Sequence, residues 1–283
     1  LSNYTSDDLE ICIATMNRSD LSFLELMFQC SLSEIKHQII IVNQSKTAVL
    51  KSEYSNIRIF NDCEFGLSRS RNLALRNCNG AFAWILDDDV QVLQESISVI
   101  VDKLNAYKNS SLLVFKILTP KGADKRVYSK KDKLATTKKE LFHIHSIEMI
   151  FNTAIWRDKN FRFDTRFGLG SQFKMGEEYV LSQEIISQKC AIMLVPEAVV
   201  VHAEISTAND PSSNEVIYAR GAIAAHENLK IVGLIQLKYI FFLFRKGYIK
   251  QFSDLRDSYR LFKKGVNDYI NSLERYSKND VKQ

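Results

Sequence analysis

Three consecutive carboxylates, Asp87, Asp88 and Asp89, follow the apolar run Ala81-Phe-Ala-Trp-Ile-Leu86. Carboxylates about 5 Å apart repel by roughly 3 kcal/mol at an effective dielectric near 20. A hard, oxygen-preferring cation turns that repulsion into attraction. In an extended chain Asp87 and Asp89 share one side, which suits a common ligand, and Asp88 points away. The competing reading is a solvated acidic turn that caps the next helix. A second acidic pair, Glu177-Glu178, opens a helical stretch, where carboxylates are favoured electrostatically with or without a catalytic role. His143-Ile-His145 would share a face on a strand, but no third ligand accompanies them, so a zinc-type site is not expected there.

The elements that must position these residues follow from composition and pattern. The chain has 283 residues, 46% of them hydrophobic, enough for one large domain or one domain with an appendage. A net charge of +5 suggests a partner that is acidic somewhere, such as a nucleotide diphosphate or a membrane surface. No nucleic-acid partner is expected. The five cysteines include no CxxC pair, which argues against a disulfide framework or a zinc site and fits a reducing cytoplasm. No leader is read at the amino end, although a start at Leu1 rather than Met leaves room for an upstream segment. Walker A, HExxH and GxGxxG patterns are absent.

Buried parallel strands are apolar on both faces, and their ligands sit beyond their carboxyl ends. Strands are expected at 10–15, 37–42, 57–60, 81–86, 112–118, 191–195 and 198–201, with a further one at 141–147. Helices are expected after a Ser19-Asp20 cap, over 66–76 with Ser68 as cap, over 94–107 and over 177–188. Residues 121–139 are polar and lysine-rich and read as a mobile, solvated excursion. Residues 161–176 read as an ordered loop packed by its aromatics. From Pro211 the pattern is helical to the end, which puts a boundary near 206–213. The sum is an α/β protein with a mostly parallel sheet, helices on both faces and a C-terminal helical extension.

With these stretches in order, the sequence resembles a GT-A-type glycosyltransferase of glycosyltransferase family 2. The resemblance rests on ICIATMNR (11–18), IIIVNQS (39–45), GLSRSRNLAL (66–75), WILDDDV (84–90), FDTRFGLG (163–170) with GEEYVL (176–181), and VPEAVVVH (195–202). It covers roughly residues 10–205. It implies an inverting enzyme that uses Mn²⁺ or Mg²⁺ and a nucleotide-sugar donor, with 1–90 as the nucleotide-sugar half and 91–205 as the acceptor half of a catalytic domain at 1–205, and 206–283 as a helical region. Asp87 would bond the ribose side of the donor, and Asp89 with His202 would hold the metal. Thr15, Arg18, Arg71 and Asn72 would line the donor pocket, with Asp88 counted beside them. Asn43 stands where many members carry an aspartate for uracil or ribose, and a UDP-sugar remains the expected donor. Glu178 takes the position of the general base, with Glu177 as the alternative. The implied acceptor is a glycan or lipid-linked glycan in bacterial surface polysaccharide synthesis, of capsule or lipopolysaccharide type.

Two other function classes compete. A nucleotidyltransferase would need a glycine-rich phosphate loop after the first strand, and ATMNR has no glycine. A non-catalytic carbohydrate-binding or assembly subunit would not need to keep three aspartates, two glutamates and a histidine. Finally, residues 231–264 combine a dense apolar cluster at 239–244 with Arg245, Lys246, Lys250, Arg256, Arg260, Lys263 and Lys264. The run is too interrupted to span a bilayer and has the composition of a helix lying in the headgroup region; the family resemblance implies that the membrane is the inner one, met on its cytoplasmic face. The alternative is docking onto the catalytic domain or within a homo-oligomer. On the membrane reading, truncation after Leu229 would spare donor binding.

Overall fold

The computed structural model describes residues 3–203 and 210–279. Its first half alternates strands and helices: β1 (Leu9–Met16), α1 (Ser22–Phe28), β2 (Gln38–Gln44), β3 (Ile57–Asp62), α2 (Leu67–Asn77) and β4 (Phe82–Asp87). The second half runs β5 (Gln91–Val92), α3 (Ser96–Ala106), β6 (Leu112–Leu118), β7 (Lys133–Leu134), α4 (Lys138–Phe142), β8 (Met149–Asn152), α5 (Thr153–Asp158), α6 (Glu177–Ser187) and β9 (Ile192–Val201). Three long helices follow, α7 (Asn214–Glu227), α8 (Val232–Arg245) and α9 (Phe252–Asn279).

One sheet runs β3-β2-β1-β4-β8-β6-β9-β5, with β7 also paired to β9. The strands β3, β2, β1 and β4 are mutually parallel, as are β6 and β9. β8 is antiparallel to both of its neighbours, and β5 and β7 are antiparallel to β9. The sheet is therefore mixed: the β3-β2-β1-β4 side has the parallel character expected of the whole, and on the other side only β6 and β9 run parallel. Side chains of a strand alternate between faces, which divides the core in two. Ile11, Ile13, Ile39, Ile41, Trp84 and Leu86 pack beneath α1 and α3. Cys12, Ile40, Val42, Ala83 and Ile85 face the other way, into a core shared with α2, α6 and the C-terminal helices.

The first half of the expected boundary, residues 206–209, lies outside the described ones. On its far side α7 and α9 contribute Ile217, Ala222, Ile223, Phe262, Val266 and Tyr269 to the same core as Phe163, Phe167 and Phe173. Two glycines let α7 and α9 meet backbone to backbone. A Cβ at Gly221 would lie 2.1 Å from the Phe262 carbonyl oxygen, and one at Gly265 would lie 2.0 Å from that of Tyr218.

Several local expectations change. The strand expected at 141–147 is absent. Thr137 and Glu140 form a capping box that starts α4, and His145 with Glu148 caps a 3-10 turn at Ser146–Glu148. The strand lies just beyond, as β8. Ser68 is not a cap: α2 begins after Gly66, and Ser68 is buried inside it, donating to the Phe167 carbonyl at 2.6 Å. Asp20 accepts from the Ser22 N–H ahead of α1 but is not its cap residue, which is Leu21. The two last strands are one, β9, with register irregularities against β6. Residues 121–139 are tied to the body: Lys103 pairs with Asp132, Arg126 with Glu148, and β7 joins the sheet.

Candidate active site

The candidate residues gather at the carboxyl ends of β1, β2 and β4. Beyond Asp87 the chain turns instead of extending, so the alternation expected of three strand residues does not hold. Each aspartate faces a different partner. Asp88 does not point away into solvent: its Oδ2 accepts from Thr15 Oγ1 at 2.5 Å and from Arg18 Nε at 2.9 Å. This ties the end of β1 and the following loop to the acidic turn.

Asn43 is fully buried at the end of β2, and its amide is consumed internally. Its Oδ1 accepts from the Arg18 N–H at 3.1 Å, and its Nδ2 donates to the Arg18 carbonyl at 3.0 Å and to Asn61 Oδ1 at 3.1 Å. It holds the Arg18 loop in place. Asn72 is likewise occupied. Its Nδ2 donates to the Phe163 carbonyl at 2.8 Å and its Oδ1 accepts from the Phe163 N–H at 2.8 Å. That pair of hydrogen bonds pins the aromatic loop to α2.

Arg71 is the junction of the site. Only 2% of its side chain is exposed, yet it meets three carboxylates. Its guanidinium donates to Asp87 Oδ1 at 3.2 Å, Glu177 Oε1 at 3.1 Å and Ser146 Oγ at 2.7 Å, and lies 3.6 Å from Glu178 Oε1. Burial works against its charge, but Asp87, Glu178 and Glu177 outweigh burial and hold its pKa above the ordinary arginine value.

The two glutamates open α6, after Gly176 in a left-handed conformation (φ 99°). Burial, followed by the charge of Glu178, pushes Glu177 up to about 7, with Arg71 opposing. Burial also raises Glu178, against the pull of Arg71 and an N–H bond from Ser146 at 3.3 Å. The Glu178 side chain is the more open of the two, 17% exposed against 7%. Phe163, Phe167 and Phe173 are buried beneath this corner, and Gly168 (φ 102°) passes so close to Glu177 that a Cβ there would lie 3.2 Å from its carboxyl carbon.

Asp89 and His202 meet because β5 pairs with the end of β9, carrying the turn after Asp87 up to the residue that follows β9. Asp89 Oδ1 lies 3.4 Å from His202 Nε2, and this histidine holds the Asp89 carboxyl below its usual range. The other ring nitrogen of His202 is 2.7 Å from Lys125 Nζ, which also donates to the Ala203 carbonyl. Among the described residues no group of three His, Cys, Asp or Glu side chains converges as a closed metal cage. One carboxylate and one imidazole side by side are donors that a divalent cation accepts, and a bound diphosphate and water would have to supply its other ligands.

The model of the family described as "Glycosyl transferase family 2" matches residues 10–180. The chain belongs to glycosyl transferase family 2. No curated protein matches this glycosyltransferase closely enough to count as a relative. Among solved structures, it is similar to the crystal structure of S. aureus TarS 1–349, at 16% identity and a TM-score of 0.52, over 77% of this chain and 64% of that one. The chain thus spans just under two thirds of that neighbour. The same protein in complex with UDP-GlcNAc matches at 16% identity and a TM-score of 0.50, over 77% and 66%. Its complex with UDP matches at 14% and 0.50, over 96% and 91%. At these identities the likeness bears on the fold, which is the GT-A fold.

Three residues of the candidate site escape sequence reasoning. Ser146 touches both Arg71 and Glu178 but sits in a segment that reads as strand. Lys125 reaches His202 from the lysine-rich stretch, where nothing distinguishes it from its neighbours. Asn61, itself exposed, accepts from the buried Asn43 amide, and its only signal is a polar residue near the end of a strand.

Proposed function

We propose that this glycosyltransferase moves a sugar from a nucleotide-diphosphate sugar, of UDP type, to a hydroxyl of a glycan or lipid-linked glycan in bacterial surface polysaccharide synthesis, with inversion. The observation that carries the reading is the buried Arg71 guanidinium, which joins Asp87, on the donor side, to Glu177 and Glu178 at the start of α6. In this reading donor and acceptor chemistry meet on either side of that one guanidinium. The UDP-GlcNAc and UDP complexes of TarS support the choice of donor class.

Glu178 serves as general base. A carboxylate whose pKa is raised by burial is a stronger base than a solvated one, which suits proton abstraction. Arg71 and the Ser146 N–H hold one of its oxygens, which fixes the carboxylate against the acceptor hydroxyl. In this reading Glu177 carries the proton of the pair, since two adjacent buried carboxylates facing one guanidinium are not both easily ionised. The hydroxyl then attacks the anomeric carbon opposite the leaving diphosphate, and one displacement inverts the centre. Thr15 and Arg18, held by Asp88, line the donor side. A divalent cation held by Asp89 and His202 would neutralise charge that builds on the diphosphate.

Glu178→Gln should fold and bind donor yet lose roughly 10²–10⁴-fold in turnover, the range of a positioned general base. Glu177→Gln should lose much less. Retention of the donor's anomeric configuration in the product, read by proton coupling, would rule out the single displacement. Full activity of Glu178→Gln would remove the base assignment.

A further inference from the structure

The two sides of α8 have opposite fates. Gln236, Ile240 and Leu243 are buried. Gln236 Nε2 donates to the Tyr259 carbonyl at 2.7 Å, and Tyr239 OH donates to the Pro211 carbonyl at 2.6 Å. These contacts seat the helix on its neighbours. Leu234, Leu237, Phe241 and Phe244 recur at helical spacing on the other side and remain exposed, Phe241 to 62% and Phe244 to 56%. Tyr248 and Phe252, also exposed, follow the helix end. Docking therefore uses one face of the apolar helix and leaves the other without a partner. Clusters of large exposed apolar side chains of this kind mark interaction sites.

The surrounding charge identifies the occupant. Residues 228–253 contain five cations, Lys230, Lys238, Arg245, Lys246 and Lys250, and no carboxylate. All five are exposed, and among the described residues none forms an ion pair. A second copy packed on this face across a two-fold axis would set cations against cations. An anionic lipid surface answers both features at once. Rings and leucines enter the headgroup boundary while the lysines and arginine meet phosphates. The helix has 14 residues, about 21 Å at 1.5 Å per residue, and among the described residues no helix is long and apolar enough to cross a membrane.

We propose that the exposed face of α8, continued by Tyr248 and Phe252, lies in the headgroup region of an anionic lipid surface and holds the enzyme there. The proposal is independent of the transfer chemistry, because its test reads binding. Full-length protein is sedimented with vesicles of phosphatidylcholine alone or with about 30% phosphatidylglycerol, at low and high salt. Binding should require the anionic lipid and weaken roughly tenfold or more between 0.01 M and 0.5 M salt, as screening shortens. Phe241→Glu with Phe244→Glu should abolish binding and leave solution turnover and the melting temperature unchanged.

Phe241→Trp gives a second measurement that does not depend on the double variant folding. Trp84 and Trp156 are buried, so vesicle-dependent blue-shifted emission would come from position 241. Binding without a shift, binding that survives the double glutamate substitution, or indifference to anionic lipid would each overturn the proposal. Concentration-dependent dimerisation that is lost in the double variant, with no vesicle binding, would assign the face to a second copy of the chain.

Discussion

Arg71 is a single buried cation facing three carboxylates, and most of the electrostatics of the site follows from that imbalance. Removing it as Arg71→Ala leaves Glu177 and Glu178 buried without a counter-charge, a loss of roughly 3–5 kcal/mol where both stay ionised. The carboxyls escape part of that cost by protonating, so the loss should be larger at pH 8 than at pH 5, measured by denaturant midpoint. The wild-type protein should show the same sign more weakly. Glu177 has its pKa raised to about 7 in the folded protein, so the folded state binds the extra proton between its unfolded value near 4.5 and about 7. Stability from this group is present below that window and declines as pH rises through it. Glu177→Gln should flatten the decline in a pH series of melting curves. At Asp88 the structure changes the expected outcome. Because Asp88 accepts from both Thr15 and Arg18, Asp88→Asn should raise the KM for donor several-fold with a smaller effect on kcat, and equal KM values would remove its positioning role.

The elements that can be read directly from sequence are those whose pattern and burial agree. The runs IIIV and FAWIL are buried on both faces and become β2 and β4. The segment 141–147 misleads because Leu141, Ile144 and Ile147 are spaced by threes, which fits turns of 3-10 or α type, and local caps at Thr137 and His145 then decide. The aspartate run, the glutamate pair and His202 stand out as candidates because charge beside an apolar strand or at a helix start is locally visible. Ser146 and Lys125 were not, since their partners lie 75 and 77 residues away in the chain. Gly176 shows how an element's start is fixed from outside it. Its φ of 99° disfavours any side chain, and a Cβ there would lie 2.6 Å from Ile223 Cδ1 of α7. Gly176→Ala should therefore cost about 1–3 kcal/mol in unfolding free energy. Adding Ile223→Ala should recover only the steric share. Full additivity of the two losses would show that the two sites do not touch.

At the scale of the whole molecule, the C-terminal helices are part of the machinery that holds α6. Arg166, next to the buried Phe167, donates to Ser272 Oγ of α9 at 2.9 Å, and its guanidinium lies over the Tyr269 ring. Phe167 and Phe173 pack on the same Tyr269. Truncation after Leu229 would thus strip Phe262, Val266 and Tyr269 from the core that supports the glutamate pair, and donor binding should fall with stability instead of surviving. A point substitution tests this without removing chain. Gly265 meets the backbone of Tyr218, and neither backbone can yield as a flexible side chain would, so Gly265→Ala must push α9 away from α7. Overpacking of this kind costs roughly 1–3 kcal/mol and is felt along the whole contact. Gly265→Ala should lower the denaturation midpoint and reduce turnover, while Phe241→Glu on the exposed face of α8 changes neither in solution. A Gly265→Ala protein with wild-type stability and turnover would mean that the α7–α9 contact can relax without disturbing the site.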